Sequence, residues 1–77
     1  MNPELTILRT LQPNYPRGLR ENVLKNELPN YGEGQSLTDL RRHCGNLESK
    51  GHLVIIEDPD FTLIKITAEG LARLAQQ

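Results

Sequence analysis

The chain has 77 residues, 36% of them apolar, which is enough for one core and leaves no room for a second. Nine Lys and Arg against ten Asp and Glu give a formal charge of -1 and a pI near 6.1, excluding attachment to polyanions by bulk charge and leaving that role only to local clusters of cations. A single cysteine, Cys44, excludes an intrachain disulfide framework and a multi-cysteine zinc site.

Asn2-Pro3-Glu4 opens a first helix, with Asn as cap, Pro where a missing N–H costs nothing and Glu near the positive helix end. Leu5, Ile7, Leu8 and Leu11 supply its apolar face, and it stops before Pro13. The same opening lacks the basic start and apolar run of a secretion signal, and no segment approaches membrane-spanning length. A soluble protein of the reducing cytoplasm is therefore expected. Pro13-Asn14-Tyr15-Pro16 makes a rigid connection to a second helix whose apolar face is Leu19, Val23, Leu24 and Leu28, ended by Pro29. Residues 29–35 have the composition of a surface turn.

Ser36-Leu37-Thr38-Asp39 resembles a capping box with Asp in place of Glu or Gln, so a third helix begins at Leu37. Its inward stripe is Leu37, Leu40, Cys44 and Leu47, and Gly51 ends it in the left-handed conformation. The segments 52–57 and 61–67, rich in Ile, Val, Leu and Thr, read as strands joined at Asp58-Pro59-Asp60 into a hairpin. Thr67 then caps a last helix over Ala68–Ala75, with Leu71 and Leu74 inward. A further strand, of one or two residue pairs at most, is expected between helices two and three.

This order predicts an α+β fold over residues 1–77: a three-helix core, a β-hairpin and a C-terminal helix. Leu47-Glu48-Ser49-Lys50-Gly51-His52-Leu53 and Ile66-Thr67-Ala68-Glu69-Gly70-Leu71 carry a family resemblance. They look like the end of the recognition helix and the end of the wing in bacterial winged helix-turn-helix regulators of the multiple-antibiotic-resistance, arsenical-resistance and phenolic-acid-response groups. The resemblance covers about half the chain directly. It implies a transcriptional regulator that places the helix over residues 36–50 in the major groove of double-stranded DNA.

With the apolar stripe inward, Thr38, Arg42, Gly45, Asn46 and Ser49 fall on the opposite face of that helix, flanked by Asp39, Arg41 and His43. Arg pairs bidentately with guanine and Asn with adenine, which assigns base reading to Arg42 and Asn46. Arg41, Thr38 and Ser36 are then left to position the backbone, Ser36 at a helix N-terminus that attracts phosphate. Gly45 costs helix stability, and either close approach by a partner or packing against another helix accounts for it. Arg17 and Arg20, at the start of helix two, are candidates for phosphate contacts, with Lys50 and Lys65 behind them.

The hairpin tip disagrees with this assignment. Glu57, Asp58 and Asp60 repel phosphate where many wings carry Arg or Lys, although Asp-Pro-Asp is also good turn chemistry. If Leu53, Ile55, Ile64 and Ile66 point inward, Val54, Ile56 and Leu63 form an apolar outer face suited to a homodimer or a protein partner. An alternative function follows: a protein-interaction module that uses the acidic tip or this face. Cys44 falls on the buried stripe, and His43 and His52 lack companions at ligand spacing, so no metal site is expected. No phosphate loop, nucleophile elbow or carboxylate pair is present, and neither an enzymatic role nor a cofactor is expected.

Overall fold

The computed structural model describes residues 3–28 and 37–76. Helix α1 (Pro3–Leu11) runs into a 3-10 turn (Gln12–Asn14), then strand β1 (Leu19–Arg20) and helix α2 (Glu21–Glu27). Helix α3 (Leu37–Ser49), strands β2 (Leu53–Glu57) and β3 (Thr62–Ile66), and helix α4 (Ala68–Ala75) complete the chain. The expected turn at residues 29–35 and the capping residue Ser36 lie outside the described residues.

The helices pack on one side of a three-stranded antiparallel sheet of order β1-β3-β2. Register places Leu19, Ile64 and Ile55 in one row across the sheet, and Arg20, Leu63 and Ile56 in the next. Because successive strand residues face opposite sides, the first row meets the helices and the second does not. Ile7, Leu8, Leu11, Leu24, Leu40, Cys44 and Leu47 are fully buried together with Leu53, Ile64 and Ile66. Leu19, Leu37, Ile55, Leu71 and Leu74 close the core at its margins.

One expectation about the second helix is corrected. Leu19 lies on a strand, and Val23, placed on the apolar face, is 38% exposed. A short strand, β1, falls before α2, and the stretch between α2 and α3 where one was expected lies outside the described residues. Leu19 and Arg20 pair with Ile64 and Leu63, so β3 claims these two residues before the helix can start. Seven residues remain for α2, and Leu24 within it and Leu28 at its C-cap reach the core as expected.

The junction from α3 to the hairpin is built as expected. Gly51 takes φ +80°, ending α3 with bonds from Gly51 N to Glu48 O at 2.9 Å and from His52 N to Leu47 O at 3.0 Å. Thr67 Oγ1 caps α4 by accepting from Gly70 N at 3.1 Å and itself donates to Gly51 O at 2.6 Å. Gly70 admits this closure because a side chain there would run into the His52 carbonyl. The two segments that carried the family resemblance are thus the two sides of one contact.

Candidate nucleic-acid interface

The apolar stripe of α3 turns Leu40, Cys44 and Leu47 into the core. The opposite side presents Thr38, Arg42, Gly45, Asn46 and Ser49 to solvent. Arg42 is 66% exposed and Nη2 lies 3.2 Å from Asp39 Oδ1, a same-helix pair weak enough at this exposure to open toward a ligand. Ser49 Oγ donates to the Asn46 carbonyl at 2.8 Å. A Cβ built on Gly45 meets nothing within 4 Å. Packing against another described element therefore does not explain this glycine.

The remaining candidate cations point in several directions. Arg41 reaches back to α2, donating from Nε to Glu21 Oε2 at 2.9 Å and from Nη2 to Glu21 Oε1 at 3.0 Å. The Glu21 carboxylate beside it raises its pKa, with a smaller contribution from Glu57. Lys50 is drawn to α1, where Nζ lies 2.9 Å from Glu4 Oε1, and Arg73 approaches the same oxygen at 3.5 Å. Arg20 lies with its guanidinium 4.6 Å from the centre of the Phe61 ring, beside the tip of the hairpin. Arg17 is exposed in the turn before β1, and His43 is half-buried on the flank of α3.

The acidic tip is less isolated than the sequence implied. Asp58 and Asp60 share a cleft of about 360 Å³ with Arg20 and Arg41, between the start of α2 and the hairpin. The tip itself is a tight turn in which Asp58 and Phe61 exchange backbone bonds and Asp60 N donates to Asp58 Oδ1 at 3.1 Å. Glu21 and Glu48 are the residues that sequence reasoning passed over. Glu48 Oε2 accepts from Ile55 N at 2.9 Å, fastening α3 to the outer edge of β2. Neither contact has a sequence signal, since each joins groups on different elements.

Among the described residues, no group of three or more His, Cys, Asp or Glu side chains is placed to hold a metal ion. His52 Nδ1 instead faces Arg73 Nη1 at 3.3 Å. No helix among the described residues is long and apolar enough to cross a membrane.

No protein-family model and no curated protein matches the sequence. Solved structures do match its shape. The PcaV transcriptional regulator from Streptomyces coelicolor superposes with a TM-score of 0.78 at 20% identity, over 99% of this chain. PcaV in complex with its natural ligand gives 0.71 at 22% identity. A candidate DNA-binding protein of Ralstonia eutropha JMP134 gives 0.76 at 20% identity. The fold is a winged helix. In it α2 and α3 form the helix pair, and β2 with β3 forms the wing. The chain spans about half of PcaV, 53%, but 95% of the Ralstonia protein.

Proposed function

We propose that this winged helix is a small DNA-binding transcriptional regulator of the cytoplasm that inserts α3 into the major groove. The observation that carries this reading is the outward face of α3, where Arg42 and Asn46 flank the uncovered backbone of Gly45. Both side chains make bidentate base contacts in a major groove, and the missing Cβ between them lets the helix sit deep. Thr38, Arg41 and Ser36 position the phosphate backbone, with Arg17, Arg20, His43 and Lys50 as outer contacts. No catalytic step and no cofactor enters this reading.

The resemblance of the fold to PcaV and to the Ralstonia protein supports a DNA ligand over the alternative of a protein-interaction module. A net charge of -1 makes a single module a weak binder, so the reading includes a homodimer whose two α3 helices address two half-sites. The test is a titration of isotopically labelled protein with duplex DNA at low salt, following backbone amides. Shifts concentrated at Thr38, Arg42, Gly45 and Asn46, with affinity falling steeply as salt rises, are expected. Unperturbed α3 amides would falsify the assignment.

A further inference from the structure

Glu21 is the first residue of α2, and its carboxylate accepts two bonds from Arg41 of α3. The Glu21 side chain is 13% exposed and that of Arg41 is 61% exposed. A pair with so open a cation adds little to stability. Its geometry does something more specific. The parallel bonds from Nε and Nη2 use one side of the guanidinium plane and so fix the orientation of the whole group.

A guanidinium carries its N–H donors in a rigid plane, and this fork leaves those on Nη1 and on the far side of Nη2 pointing away from the carboxylate. Among the described residues no other group accepts a hydrogen bond from Arg41. The free donors at its tip lie side by side, the arrangement that takes two oxygens of a phosphate. Other acids compete for this side chain. Arg41 lines a cleft of about 360 Å³ with Asp58 and Asp60, and a neighbouring one of about 300 Å³ with Glu57, whose charge acts on it. Without an anchor, so long and exposed a side chain would divide itself between these acids and solvent, and its tip donors would be occupied or unoriented.

We propose that Glu21 is a positioning residue for DNA binding: it touches no DNA, and it holds Arg41 with its tip donors turned outward to a backbone phosphate. This role rests on the reading of α3 as the DNA-binding helix and adds the residue that prepares its flank. A carboxylate beside DNA acts in two opposed ways. Its charge repels phosphate, and its fork removes the need to order a long side chain on binding. The repulsion is the smaller effect here, because Glu21 is turned from solvent against a cation and the remaining field is screened by salt.

The test is titration of the full chain with duplex DNA at several salt concentrations, comparing wild type, Glu21→Gln, Arg41→Lys and the double variant. Gln keeps the length of Glu and removes its charge, so repulsion alone gives tighter binding and a steeper fall with salt. Positioning gives the reverse. Glu21→Gln is expected to bind about two- to fivefold more weakly, with the slope of log K against log salt shallower by about one. In Arg41→Lys, whose ammonium cannot form the fork, the same change is expected to strengthen binding, which a loss of folding would not do. The Nε proton resonance of Arg41, protected from exchange in wild type, should be lost in Glu21→Gln. Tighter or unchanged binding by Glu21→Gln, where wild type binds through α3, overturns the positioning role alone. A wild type whose α3 amides ignore duplex DNA overturns the DNA reading and this role with it.

Discussion

Arg41 of α3 and Glu21 of α2 are joined by two parallel hydrogen bonds, from Nε to Oε2 at 2.9 Å and from Nη2 to Oε1 at 3.0 Å. The fork bridges the two helices of the pair at their exposed edge. The Glu21 charge also acts inward, on the thiol of Cys44. Burial, followed by that charge, pushes the thiol up to about 12 from an ordinary 9.0. A thiol whose folded value lies above its unfolded one contributes stability that is complete below pH 9.0 and lost as pH rises toward 12. Glu21→Gln is expected to lower the Cys44 value while leaving it above 9.0, because burial is the larger cause. Thiolate absorbance against pH reads the shift, and an unmoved titration would disprove the coupling.

Gly45 offers a trade between stability and binding. Gly45→Ala gains helix propensity of about 0.5–1 kcal/mol, and its methyl group meets no other described element of the fold. The variant should therefore melt higher and bind duplex DNA less tightly. If it binds as well as wild type, no partner approaches α3 closely at this position.

Arg42→Ala removes the side chain proposed to read a base, which the fold does not use for packing, since it is 66% exposed. Specific binding is expected to weaken by about 1–3 kcal/mol, with unfolding unchanged. Equal losses on specific and random duplexes would instead assign Arg42 to phosphate.

The acid limb of stability should depend on Glu4. Its hydrogen bond from Lys50 is the largest cause holding its pKa below the usual 4.5, with Arg73 contributing further. A carboxyl lowered in this way adds stability that is present above the unfolded value and is lost as pH falls through the folded one. Urea unfolding from neutral pH to below 4.5 should show wild type losing stability that Glu4→Gln never had. Parallel curves for the two proteins would contradict this.

Thr67→Ala removes two bonds at once, the cap to Gly70 N and the donation to Gly51 O. A cost of about 1–2 kcal/mol is expected, at the upper end for a helix cap. Amide exchange should speed up at Gly70 and Leu71 before it does in α1, because the loss begins at the junction between α4 and the hairpin.

Local patterning in the chain determined most of the architecture. The 3.6-residue stripe of Leu40, Cys44 and Leu47, the stop at Gly51, the Asp-Pro-Asp turn and the Thr67 cap are each written within a few residues, and each appears in the fold. The alternation that turns Val54 and Ile56 outward was legible for the same reason, since strand parity is a local property. Tertiary structure alone decided what depends on partners distant in the chain. Leu19 and Arg20 looked helical until β3 paired with them, and a two-residue strand leaves no periodic trace. The candidate face of α3 was equally visible as a list of residues, but not the direction in which each cation leans. Arg41 turns to Glu21, Lys50 to Glu4 and Arg20 to Phe61, across 20, 46 and 41 positions, because an opposite charge or a ring came within reach when the core closed. The sequence names the charges, and packing decides which of them remain turned toward solvent.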